Sequence, residues 1–252
     1  MKRARIACKG GIQWAAVHGD GAALSLRDGA TVAAQEVQWL PPVTQGATIF
    51  ALGLNFADHR KELGFRTPEA PLIFLKGPGT LVGHLGETVR PADANQMHPE
   101  CELVAIIGKP ARRLRKEEAL DYVSGYTIAC DYAVREYLEN YYRPNLAVKN
   151  RDATTPLGPW VIDAADVGDP QNLRLRTMVN GAVVQDGSTS DMILTVAELI
   201  AYLSETMTLM PGDMIMTGTP QGVHFCSAGD EVVCDIEGLG RLVNRLVAEP
   251  AA

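Results

Sequence analysis

Short apolar runs broken by Gly, Pro and Asp dominate the chain. PLIFLK, ECELVAIIG, YTIAC, LRTMVNG, DMIMTG and DEVVCDIEG are each a few residues long and rich in branched or aromatic side chains, the pattern of buried or half-buried strands. Helical spacing is rarer. KEEALDYV, AVREYLENYY and VAELIAYLSETM repeat apolar residues three or four apart, and the last runs toward the stop Pro211-Gly212. The pattern predicts an α+β fold with a dominant, mostly antiparallel β core.

Residues 1–45 read as a small N-terminal β-rich segment, because short apolar and polar stretches alternate there around Gly10-Gly11, Gly19, Gly21 and Gly29. Pro41-Pro42 punctuates the chain, and residues 46–252 form the main domain, whose patterned part opens near Thr48.

Composition narrows the classes of function. With 252 residues, 46% of them hydrophobic, the chain has enough apolar surface for a substantial core. No apolar run reaches the roughly 18 residues of a membrane span, and the start MKRARIACKGG lacks the apolar stretch of a signal peptide. Five cysteines without a CxxC pair predict neither a disulfide framework nor a zinc-finger spacing, so a reducing cytoplasm is the expected location. A net charge of −7 without a basic run argues against a nucleic-acid surface.

Chemistry-bearing residues cluster in a few places. In PECELVAIIG, Glu100 and Glu102 are two apart in a strand-like run, so both side chains point to one face. Two adjacent carboxylates repel unless water or a cation relieves them; a solvated strand face is the alternative reading. Asp131 ends GYTIACD where a helical pattern begins, a place for a ligand or for a helix N-cap. Three carboxylates with no convergent His or Cys cluster favour a hard cation, Mg²⁺ or Mn²⁺.

His59 and Glu62, three apart in GLNFADHRKELGF, share a face if the segment is helical. A carboxylate beside an imidazole suits a general acid/base, while a charged surface turn is the alternative. Gly53 and Gly64 bracket the segment as a potential lid over residues 59–65. Arg135, one helical turn after Asp131, and Lys149 are candidates for substrate carboxylates, and the turn TGTPQGV offers backbone amides and hydroxyls to an anion. His18, His84, His98 and His224 have no persuasive partner and read as structural.

GLNFADHRKE, FLKGP, ECELVAIIG, GYTIACDYAVREYLENYYRPNLAVKNRD and PGDMIMTGTPQGV, in this order over about residues 48–247, resemble the fumarylacetoacetate hydrolase family. The resemblance implies that family's fold, a mixed β-roll with short flanking helices, usually dimeric. It implies Mg²⁺ or Mn²⁺ on Glu100, Glu102 and Asp131, and an acid/base pair of His59 and Glu62 joined by Lys149 as a catalytic candidate. It further implies substrate contacts from Lys76, Arg135, Gly218, Thr219 and Pro220. The implied substrate is a small 2-oxo di- or tricarboxylate. Decarboxylation of 5-oxopent-3-ene-1,2,5-tricarboxylate, isomerisation of 2-hydroxyhepta-2,4-dienedioate, or both, are the expected reactions. C–C hydrolysis of an acylpyruvate, oxaloacetate decarboxylation and a non-catalytic binding role are the rivals. A homodimer is expected, with or without a related companion subunit.

Overall fold

The run CELVAII becomes the strand Cys101–Ile107, buried at every position. Period-two alternation sends Cys101, Leu103, Ala105 and Ile107 into the larger of two apolar cores, and Val104 and Ile106 into the smaller one on the opposite face. The computed structural model describes residues 1–9, 11–64, 70–138 and 145–250.

A 12-stranded sheet carries this strand at its centre. Val123–Cys130 pairs with it antiparallel on one side and Met214–Met216 antiparallel on the other. Beyond Met214–Met216 lie Ile49–Gly53, paired in parallel, and then Leu72–Leu75. Beyond Val123–Cys130 lie Thr155–Asp163, Lys2–Cys8 and Gly11–His18, all antiparallel. A second, five-stranded sheet contains Ala182–Ser188, Arg174–Val179, Glu231–Ile236, Gly240–Ala248 and Gly86–Arg90. Its inward residues Leu175, Val232, Ile236, Leu242 and Leu246 belong to the larger core together with Leu103 and Ile128 of the first sheet. The expected β-rich, mostly antiparallel fold with short helices is what forms.

The N-terminal strands are not separate from the rest: Lys2 and Arg3 face Ile162 and Val161 in the same sheet. VAELIAYLSETM forms the helix Val196–Thr206, opened by Thr195, whose side chain accepts from Glu198 N–H while Glu198 reaches back to the Thr195 N–H. KEEALDYV forms the short helix Lys116–Ala119 and a 3-10 turn, Leu120–Tyr122. AVREYLENYY departs from its helical pattern. Ala133–Val134 pairs with Met97–His98, and only a 3-10 turn, Arg135–Tyr137, follows. Bonding to a strand distant in sequence overrides local periodicity here; the remainder of that run, from residue 139, lies outside the described residues. Among the described residues, no helix is long and apolar enough to cross a membrane.

Candidate metal centre

Glu100 immediately precedes the central strand, Glu102 lies within it, and Asp131 follows the strand paired with it. The register sets Cys101 opposite Cys130, so the flanking Glu100 and Asp131 meet, and Asp131 N–H donates to the Glu100 carbonyl at 2.8 Å. One ligand oxygen from each of Glu100, Glu102 and Asp131 lies within 4.8 Å of the others, and all three residues are buried. The solvated strand face is therefore excluded. So is a helix cap for Asp131, since the short strand Ala133–Val134 follows it instead of a helix.

Cations surround this cluster without saturating it. Lys76, at the end of strand Leu72–Leu75, donates Nζ–H to Asp131 Oδ1 at 2.7 Å and also to the Lys149 carbonyl. Lys149, closing the short helix Leu146–Lys149, bonds Glu100 Oε2 at 2.6 Å and the Asp131 carbonyl at 3.0 Å. Arg135 bonds Glu100 Oε1 at 3.3 Å. Burial alone would raise the Glu100 carboxyl, but the charges of Lys149 and Arg135 outweigh it and hold Glu100 well below the usual range. Glu102 goes the other way, because burial and then the Asp131 and Glu100 carboxylates push it well above its ordinary value. Burial lowers Lys76 despite Asp131, whereas Asp131 and Glu100 overcome burial and raise Lys149.

Two oxygens of the cluster, Glu102 Oε1 and Asp131 Oδ2, have no hydrogen-bond partner among the described residues. Asp131 Oδ2 keeps an ion pair with Lys149 Nζ at 2.8 Å, so Glu102 Oε1 is the oxygen of the cluster left with no polar partner among the described residues. Buried carboxylate oxygens without partners are costly. A hard divalent cation among three oxygen donors removes that cost and relieves Glu102, so the residues present fit such an ion.

The remaining candidates close the site. Gly218 donates its N–H to Glu102 Oε2 at 2.9 Å, which sets the following Thr219 and Pro220 beside the carboxylates. Gly218 has φ +90°, and a Cβ there would lie 3.0 Å from Asn55 Cβ, so the turn requires glycine. His59 lies in the helix Ala57–Glu62 and is 4% exposed, which removes the surface-turn alternative. Its Nδ1 is 3.1 Å from Glu62 Oε2. Glu62 also accepts from the Gly222 and Val223 N–H groups, and these with His59 more than offset burial and lower its pKa. The potential lid runs to Phe65, which lies outside the described residues.

The structure adds residues that the sequence reading left aside. His98 is buried with its ring 6.5 Å from that of His59, and its Nε2 accepts from Arg135 Nε at 2.8 Å. Burial pushes His98 down to about 3. Its position two before Glu100 was a usable signal, since period two places them on one face. Asn55 donates to the Leu194 and Thr217 carbonyls and accepts from Leu194 N–H, anchoring the segment ahead of the His59 helix.

The stretch that holds this geometry is that of a known enzyme family. The chain belongs to the fumarylacetoacetate hydrolase family: the family description "Fumarylacetoacetate (FAA) hydrolase C-terminal" matches residues 48–247. A relative from Salmonella dublin, the 4-hydroxyphenylacetate degradation bifunctional isomerase/decarboxylase, is 56% identical over 211 residues, 84% of this chain and 49% of that protein. The chain thus spans about half the length of the curated relatives it matches at this level. The crystal structure of 5-carboxymethyl-2-hydroxymuconate delta-isomerase from Mycobacterium smegmatis is similar over 100% of both chains, with TM-score 0.87 and 34% identity. Fumarylpyruvate hydrolase from Pseudomonas aeruginosa, solved with Mn²⁺ and pyruvate, is similar over 84% of this chain and 92% of its own, with TM-score 0.75 and 33% identity.

Proposed function

We propose that this chain is a Mg²⁺- or Mn²⁺-dependent enzyme acting on 2-oxo di- and tricarboxylates. In this reading it decarboxylates 5-oxopent-3-ene-1,2,5-tricarboxylate, isomerises 2-hydroxyhepta-2,4-dienedioate, or does both. The observation that carries the chemistry is the buried cluster of Glu100, Glu102 and Asp131 with Glu102 Oε1 unpartnered; the substrate class follows the isomerase/decarboxylase relative. A divalent ion held by these carboxylates supplies a Lewis acid that draws electron density from the 2-oxo acid.

The chain's own residues divide the rest of the work. Lys76, Lys149 and Arg135 balance the three carboxylates in formal charge, so a bound divalent cation leaves the site positive and suited to a dianionic substrate. Glu62, being ionised, only accepts hydrogen bonds, so the His59 proton sits on Nδ1 and Nε2 is left to take or deliver a proton at the substrate carbon. Thr219 and the Gly218 turn face the substrate carboxylate. C–C hydrolysis is the second reading, supported by the likeness to fumarylpyruvate hydrolase, with the same His59–Glu62 pair activating water.

Turnover of a panel of 2-oxo di- and tricarboxylic acids with Mg²⁺ or Mn²⁺ tests the proposal, with products resolved as CO₂, isomer or cleavage fragments. Isomerised or decarboxylated product is expected, and cleavage alone would replace the first reading by the second. A homodimer, with or without a related companion subunit, is the assembly we propose; light scattering in solution tests it.

A further inference from the structure

Thr219 owes its orientation to a side chain outside the carboxylate cluster. Gln185, on the strand Ala182–Ser188 of the five-stranded sheet, is 2% exposed and uses both ends of its amide. Its Oε1 accepts from the Cys101 backbone N–H at 3.3 Å and from the Thr177 hydroxyl at 2.5 Å. Its Nε2 donates to the Pro220 carbonyl at 2.8 Å and to Thr219 Oγ1 at 3.1 Å. The assignment of oxygen and nitrogen is fixed, because Cys101 N–H can only donate and the Pro220 carbonyl can only accept. A flipped amide would face donor with donor and acceptor with acceptor.

A hydroxyl has one proton and two lone pairs. With the Gln185 N–H on one lone pair, Thr219 keeps its proton, and among the described residues that proton has no acceptor. The neighbouring Gly218 N–H is already committed to Glu102 and the Gln221, Gly222 and Val223 N–H groups to Asp58 and Glu62, so among the described residues Thr219, through its hydroxyl and its own N–H, is where this turn keeps donors for a ligand. Contact between strand and turn is close: a Cβ on Gly222 would lie 2.2 Å from the Val184 carbonyl oxygen and 2.9 Å from Gln185 Cγ. Gln185 thereby joins three elements, the strand carrying Glu102, the Thr219 turn and the second sheet.

We propose that Gln185 is a positioning residue that aims the Thr219 hydroxyl proton at a carboxylate oxygen of the bound 2-oxo acid. This rests on the reading that Thr219 touches substrate. Preorganising a donor before the anion arrives removes the cost of reorienting it. Neither residue touches the metal-binding oxygens, so the effect falls on the anion and not on the cation.

The test is calorimetric titration of oxalate, a compact 2-oxo acid mimic, into the Mn²⁺-loaded chain and its variants, with Mn²⁺ affinity and melting temperature measured alongside. Thr219→Val removes the proton and is expected to weaken oxalate binding about tenfold or more, as for a hydrogen bond to a charged group. Gln185→Met and Gln185→Leu each leave the hydroxyl free to rotate without adding charge; each should weaken oxalate several-fold and leave Mn²⁺ affinity within about twofold. The double variant Gln185→Met/Thr219→Val should bind oxalate as Thr219→Val alone does, because the two residues act in series. Additive losses in the double variant, or Gln185 variants that bind oxalate as the wild type does while Thr219→Val does not, overturn the inference. If Gln185→Met does not fold, the same cycle is closed with Gln185→Leu. Wild-type oxalate affinity in Thr219→Val would instead remove Thr219 from the substrate site, which is a failure of the underlying reading and is distinguishable by that single variant.

Discussion

Glu102 shows what the site demands of one side chain. It is fully buried, accepts a single hydrogen bond from Gly218, and is pushed well above the ordinary carboxyl range by burial and by Asp131 and Glu100. Glu102→Gln keeps the shape and removes the charge. In protein stripped of divalent cations it is expected to melt above the wild type, since folding no longer has to bury an ionisable carboxyl beside Asp131 and Glu100, while its Mn²⁺ affinity falls on the order of a hundredfold. A lower melting temperature with unchanged Mn²⁺ affinity would make Glu102 a structural residue. His59 makes a different demand, because it is tied to Glu62 and holds none of the metal-facing oxygens. His59→Ala should depress isomerisation on the order of a hundredfold to ten-thousandfold while CO₂ release falls much less; following CO₂ and the dienol separately checks it, and equal losses would place His59 in the decarboxylation itself. The two glutamates were legible because a carboxylate pair inside an apolar strand is out of keeping with its neighbours. The contacts of Lys76 and Lys149 were not, since their partners lie 55 and 49 residues away and only the sheet register brings them there.

At the scale of elements, most strands were readable from apolar runs, and the one misread helix is instructive. AVREYLENYY carries apolar residues at helical spacing, yet the backbone of Ala133–Val134 completes a pairing with Met97–His98 that no local pattern announces. The long helix is the opposite case, since its start is written in the sequence as Thr195 followed three residues later by Glu198. Lys116 lies 2.7 Å from Glu198, and with the Thr195 N–H and hydroxyl it lowers the Glu198 carboxyl from 4.5 to about 2. A carboxyl depressed in the folded state stabilises the fold above its unfolded value and loses that contribution as pH falls through its folded value. Glu198→Gln is therefore expected to melt below the wild type by a constant margin above pH 4.5, and the margin should shrink as pH falls from 4.5 towards 2. Melting curves at stepped pH measure this, and a margin independent of pH would mean the carboxylate charge plays no part. Thr195→Ala, which removes the cap itself, should cost about 1 kcal/mol.

At the scale of the whole molecule, the division at residue 45 marks a change of sequence pattern inside one continuous sheet. The strand Lys2–Cys8 pairs with Thr155–Asp163 and, further along, with Gln38–Leu40 on one edge, and with Gly11–His18 on the other. Sequence could show that residues 1–45 are strand-rich; it could not show the partner strand, because many apolar runs of that length were equally eligible. Trp39 closes the junction. It is 6% exposed, packs edge-on against His84 with ring centroids 5.2 Å apart, and lies 6.2 Å from Trp160 of the main sheet. Ile6 and Leu24, both fully buried, belong to the same core as Leu103 and Ile128 beside the Glu100, Glu102 and Asp131 cluster. Loss of Trp39 should thus be felt by the entire fold and not by the N-terminal strands alone. Trp39→Ala is expected to cost about 3–5 kcal/mol and to lower the denaturant midpoint as a single transition, with far-ultraviolet circular dichroism and Mn²⁺ release moving together. Two separated transitions, the first leaving Mn²⁺ bound, would show that residues 1–45 unfold on their own and that the metal centre does not depend on them.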